Sequence, residues 1–339
     1  MRPGAILAVA AAGHWGCCQA ALSVSRQRKP CALLPIPERT TIGSDALTEA
    51  VREVMPDFIT GFGGVPSFTP NNTSPAWDLA EPETQLFEDP HIEQFLRIAP
   101  QSARLFTRHQ LPQTTRMKHP FSTLGKALMR DGELQTACSG VLVGTNLLLT
   151  AVECIQNKTN EWALEFVPGF HAEDREQPRP WGSAFADRCV STDSPASAYA
   201  ICRLSRPIGT MAGYLGWRAS PNNGFYLGGD WLSVGYPANF KAGNVPTLEI
   251  DVRILAVESV GGSINAKRLS SQPYSENGWS GGPLFGQDGD DFFVVGVVAA
   301  VGAEEGPYGH IFATSSVHVG GVEMGELIEY GRMEWGFEA

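Results

Sequence analysis

From about Thr114 onward the chain is written in short apolar runs, each bounded by turn-forming residues. The runs are "GVLVGTNLLLTAV" (140–152), "EWALEFVPGF" (161–170), "YAICRL" (199–204), "WLSVGYP" (231–237), "TLEIDVRILAVE" (247–258) and "FFVVGVVAAV" (292–301). Gly, Pro, Asn and Asp cluster between them. Branched and aromatic side chains fit a pleated, half-buried surface, and short runs spaced in this way predict an all-β barrel or sandwich.

Residues 22–113 have a different texture. "SDALTEAVREVM" (44–55) carries an N-cap residue, Ser44, and apolar positions at Leu47, Val51, Val54 and Met55, which is helical spacing. "GFGGVPSFTPNNTSPAWDLAEPET" (61–84) is dense in Gly, Pro and Asn and reads as a linker. "HIEQFLRIAPQSARLF" (91–106) predicts a second helix, broken near Pro100. This stretch reads as a pro-segment or accessory extension ahead of a β domain over 114–339. At the start, Arg2 and the short apolar run from Ala5, ended by small residues at 19–21, read as a secretory signal peptide over 1–21 rather than a membrane span.

Composition narrows the partners. The chain has 339 residues, 43% hydrophobic and 18% charged, so it can bury a core. Its net charge of −11 argues against nucleic acid or an anionic membrane surface as a partner. No Rossmann or P-loop fingerprint and no zinc-ligand spacing occurs, so neither a cofactor nor a metal is expected. Seven cysteines are present; Cys17 and Cys18 leave with a cleaved signal peptide, and Cys31, Cys138, Cys154, Cys189 and Cys202 remain. A bond between Cys138 and Cys154 would close a hairpin. Cys189 and Cys202 flank another, either as a cross-strand bridge or as free thiols. Asn71, Asn72 and Asn157 are N-glycosylation acceptors by motif.

Three ordered motifs then point to chemistry. They are "ACSGVLVGTNLLLTAVEC" (137–154), "AYAICRLSRPIG" (198–209) and "NGWSGGPLFG" (277–286). Their order and separation resemble the trypsin/chymotrypsin-like serine proteases, over about 114–335. "FVPGF", "LGW" and "VGYPANF" resemble the secreted microbial, glutamyl-endopeptidase-like branch. The resemblance implies two packed six-stranded antiparallel β-barrels with the site in the cleft between them. Ser280 then falls at the nucleophile, and Gly278 and Ser280 supply the N–H groups of the oxyanion hole. Val298, Ala299 and Ala300 lie on the substrate-binding strand. There an apolar lining does not favour an acidic substrate side chain.

Two of the matched positions depart from the pattern. Glu153 stands where the family has its general-base histidine, and Ala198 where it has the aspartate that orients that histidine. A free Glu is a poorer base than His by about 2 pK units, or roughly 3 kcal/mol. A carboxylate beside the serine also opposes the charge that develops on an oxyanion. Alanine at 198 is compatible with glutamate at 153, because two adjacent carboxylates would repel. Trp279 replaces the aspartate that pairs with a new N-terminus on activation, so that switch is expected to be absent. His91, His109, His119, His171, His310 and His318 are the histidines that could substitute, and Asp193 is an acid near Ala198. The sequence therefore predicts a secreted, extracellular, monomeric protease homologue that binds protein or peptide. The alternative is an endopeptidase with an unconventional base.

Overall fold

A computed structural model describes residues 38–54, 63–70, 108–132, 134–155, 162–193, 197–260, 263–272, 277–305 and 311–336. The expected signal peptide, the helix at 91–106, Cys31, His91, His310 and the sequons at Asn71, Asn72 and Asn157 lie outside these residues.

Among the described residues, the short strands β1 (Glu38–Ile42), β2 (Gly63–Val65), β3 (Arg108–Gln110) and β10 (Gly216–Ala219) lie outside two closed barrels. The first barrel holds β4 (Leu124–Asp131), β5 (Leu134–Leu142), β6 (Leu147–Ala151), β7 (Trp162–Pro168), β8 (Ala184–Thr192) and β9 (Tyr199–Leu204). Its ladder runs β7–β4–β5–β6–β9, and the pairing of β9 with β8 and of β8 with β7 closes it. The second holds β11 (Trp231–Gly235), β12 (Thr247–Val260), β13 (Ser263–Gln272), β14 (Pro283–Asp288), β15 (Asp291–Glu305) and β16 (Ile311–Gly321). Its ladder β14–β11–β12–β13–β16–β15 closes through β14 and β15. Both are six-stranded and antiparallel, as the motif resemblance implies, and they decide for a barrel where the apolar runs left barrel or sandwich open. Closure removes the unpaired edges that an open sheet would expose.

Several barrel strands are buried on both faces, and the two faces serve different cores. Leu142, Leu148, Leu164, Phe166 and Ala200 fill the first barrel, and Trp231, Val252, Leu269, Leu284 and Val295 fill part of the second. A larger cluster draws Val141, Leu149 and Ile201 from one barrel and Phe285, Val294 and Val319 from the other, together with helical residues. Among the described residues the α-helices are α1 (Ser44–Val54), α2 (Gly209–Ala212), α3 (Asn223–Leu227) and α4 (Val322–Trp335). Cys189 and Cys202 face each other across β8 and β9 and are disulfide-bonded, which decides between the two readings of that pair. Cys138 and Cys154 are bonded as well.

The stretch read as a linker departs from expectation over 63–70. Gly63, Gly64 and Val65 pair with Ala219, Arg218 and Trp217, and Phe68 exchanges two backbone hydrogen bonds with Tyr214. Edge pairing needs only backbone donors and acceptors, so a glycine-rich segment can join a sheet without an apolar pattern to announce it. Among the described residues no helix is long and apolar enough to cross a membrane.

Candidate active site

The serine turn precedes β14. Gly278 and Gly281 adopt φ of 93° and 79°, a region that disfavours every residue with a Cβ. Space gives a second reason. A Cβ on Gly278 would lie 2.3 Å from the Tyr236 carbonyl oxygen, and one on Gly281 would lie 2.2 Å from Thr150 Oγ1. The glycines around Ser280 are thus required both by conformation and by close approach.

The turn is tied down from several sides. The Ala238 N–H donates to the Asn277 carbonyl and the Gly282 N–H to the Trp279 carbonyl, each at 2.7 Å. A planar trans peptide points its N–H opposite its C=O, so these bonds aim the N–H groups of Gly278 and Ser280 the other way. Among the described residues no hydrogen bond takes either N–H. The Ser139 hydroxyl donates to the Gly278 carbonyl at 2.8 Å and accepts the Tyr236 N–H at 3.0 Å. The Ser139 N–H donates to the Ser280 carbonyl at 2.8 Å. Trp279 is fully buried, and its indole N–H donates to Ser233 Oγ at 3.0 Å. Ser139 belongs to the "ACSG" motif, which points to Cys138; the motif gives no sign that the next hydroxyl braces the serine turn.

Glu153 sits in a single 3₁₀ turn, Val152–Cys154, directly after β6. The disulfide from Cys154 to Cys138 pins the end of that turn to β5. Cys154 Sγ lies 3.6 Å from the Ser280 carbonyl oxygen, and as a disulfide sulfur it has no hydrogen to donate. The Glu153 carboxyl meets the Ser280 side chain. Burial raises its pKa, while hydrogen bonds from its own N–H and from the Ser280 hydroxyl pull it partway back. The structure therefore brings Ser280 and Glu153 together.

Ala198 lies beside them. Its carbonyl accepts the Val152 N–H at 3.0 Å, and its methyl packs against the large core cluster. Three of the described histidines are engaged elsewhere. His119 Nδ1 is 3.1 Å from Thr69 Oγ1, His171 Nε2 is 3.3 Å from the Gln110 amide, and His318 Nδ1 is 3.2 Å from Ser271 Oγ. Burial pushes His119 down to about 4 and His318 to about 3, so both are neutral near pH 7. His109 and His171 are also lowered, mainly by burial. Among the described residues no histidine hydrogen-bonds Ser280. Asp193 is occupied by Ser44, whose N–H it accepts at 3.2 Å.

On β15, Val298 is buried and both of its backbone groups serve the serine turn. Its carbonyl takes the Gly281 N–H at 2.7 Å, and its N–H goes to Gly282 at 2.9 Å. A bulge falls between Val298 and Ala300, at Ala299, which packs on the large core cluster.

Two closed six-stranded barrels with a glycine-framed serine turn define a chymotrypsin-type protease fold. The family model for trypsin matches residues 114–318, more than half of the chain, and the chain belongs to the trypsin family. Three solved structures are similar to it at low identity. Protease Anisep from Arthrobacter nicotinovorans is 16% identical with a TM-score of 0.44, covering 59% of this chain and 89% of that one. A Glu endopeptidase in complex with MPD is 19% identical with a TM-score of 0.48, covering 67% and 97%. The thermostable serine protease AL20 from an extremophilic microorganism is 17% identical with a TM-score of 0.45, covering 63% and 98%. No curated protein matches the chain.

Proposed function

We propose that this chain is a secreted, non-catalytic member of the trypsin family that binds protein or peptide in the cleft between its barrels. The observation that carries this reading is the side chain facing Ser280, which is the carboxyl of Glu153, while position 198 offers only a methyl, packed against the core. A nucleophilic serine needs a base that accepts its proton and later returns it, held by a third group. Glu153 has no such partner at 198, and its carboxylate form opposes an oxyanion. What remains is the turn, whose N–H groups at Gly278 and Ser280, unbonded among the described residues, can receive a peptide carbonyl without attacking it. Two disulfides are in keeping with an oxidising compartment.

A fluorophosphonate probe tests the proposal. Labelling of Ser280 should be slower by at least about 10³-fold than that of an intact triad, and peptides should bind without being cut. Labelling at the rate of an ordinary trypsin-family enzyme would end this reading.

One observation favours a second reading. Burial moves the Glu153 pKa upward, which makes it a better base than a free glutamate. An endopeptidase using Glu153 would cleave a peptide library, and both Ser280→Ala and Glu153→Gln would abolish cleavage. Secretion itself is checked by whether the exported protein has lost residues 1–21.

A further inference from the structure

A pro-segment that leaves on maturation should rest on its domain rather than help to build it. Residues 38–54 are built in. β1 runs parallel to β8 over five paired residues, and the Asp193 N–H, just past β8, donates to the Ile42 carbonyl at 3.2 Å. The Asp193 carboxylate turns back onto the start of α1, accepting the Ser44 N–H at 3.2 Å. An acid at a helix N-terminus satisfies free N–H groups and complements the helix dipole. Further along α1, Leu47 and Val51 are fully buried, in the cluster that holds Tyr199, Met324 and Leu327 and against which Ala198 packs.

A polar path runs from this helix to the candidate site. Ser44 Oγ lies 3.4 Å from Glu323 Oε1, and Ser197 Oγ donates to the same oxygen at 2.6 Å. Thr48 donates to Glu326 at 2.9 Å, one helical turn further along α4. Ser197 precedes Ala198, whose carbonyl holds the Val152 N–H, and Val152 precedes Glu153. Glu323 is 3% exposed, so its carboxylate depends on those hydroxyl donors. The methyl of Ala198 cannot hydrogen-bond the Glu153 turn from the side. The backbone bond from Val152 extends the β6–β9 ladder by one step past the Ala151–Tyr199 pair, and Ser197 sits behind that last step.

We propose that residues 38–54 are a permanent latch rather than a detachable leader. Seated, they fix Ser197 and Ala198 and so hold the Glu153 turn opposite Ser280. Displaced, they free that wall of the cleft. Ser44, Ser197 and Glu323 are positioning residues in this scheme, and it holds whether or not Ser280 is catalytic.

Hydrogen exchange on the full chain, followed by mass spectrometry, tests it. Ser44→Ala and Ser197→Ala should each raise exchange at the amides of 150–155 by about tenfold, with β12 and β13 unchanged. Ser197→Thr, which keeps the hydroxyl, should restore protection. If Ser197→Ala does not fold, Ser44→Ala carries the same readout from a less buried position. Unchanged protection at 150–155, or a rise shared equally by β12 and β13, would overturn the latch. Neither result bears on the fluorophosphonate experiment, so the two proposals stand or fall separately.

Discussion

Burial decides what Glu153 contributes. Its raised pKa means that the folded chain holds this proton more tightly than the unfolded chain does. Stability contributed by Glu153 is therefore present at low pH and lost as pH climbs from the ordinary carboxylate range through the raised value. Glu153→Gln should remove that loss and make the protein more stable near pH 7, read as a higher urea midpoint at pH 7 than the wild type and a smaller difference at pH 4. Trp279 shows the opposite economy at the same turn. It is fully buried, with Gly235 and Gly282 packed against its ring, so Trp279→Ala should cost about 3–5 kcal/mol by urea unfolding. At this scale the sequence spoke clearly about Ser280, because the glycines that flank it have no other use in such density. It was silent about Ser139, because a single hydroxyl beside a cysteine has no pattern.

The elements differ in how openly they announce themselves. Strands of barrel residues repeat apolar positions and were legible. α4 was not, because three of its buried positions are Glu323, Glu326 and Glu329, each bound to a hydroxyl or to the Trp217 indole. A helix that buries carboxylates hides its inward face from any apolar pattern. Its two inner glycines hide it further: a Cβ on Gly325 would stand 2.2 Å from the Trp217 ring, and one on Gly331 would stand 2.4 Å from Ile201 Cδ1. Alanine is the better helix former by about 1 kcal/mol. Gly325→Ala should nevertheless destabilise by about 1–3 kcal/mol, visible as a lower urea midpoint. The 3₁₀ turn of Glu153 is held by the Cys138–Cys154 bond across a separation of 16 residues, and the double change Cys138→Ala/Cys154→Ala should lose about 3 kcal/mol.

For the whole molecule, the acid limit is set by buried imidazoles. His119 protonates in the unfolded chain near pH 6.5 but in the fold only near 4, so stability falls as pH drops through that window. The loss is about 3 kcal/mol at 1.36 kcal/mol per unit, and His318 adds to it in the same direction. His119→Gln should flatten the slope of unfolding free energy between pH 6.5 and 4 by up to about 1.4 kcal/mol per pH unit, measured by urea unfolding at each pH. The barrels were readable as apolar runs bounded by turn residues, and α1 as helical spacing over 44–55; the edge pairing of β1 and β2 was not readable, because it leaves no apolar signature. That wrapping also sets a timetable for synthesis. Ser44 and Glu323 are 279 positions apart, and both belong to one network. A ribosome adding about 5–20 residues per second makes the partner of the first helix roughly 15–60 s after the helix itself. Until then Leu47 and Val51 have no α4 to bury against, and the nascent chain must keep them from other apolar surfaces.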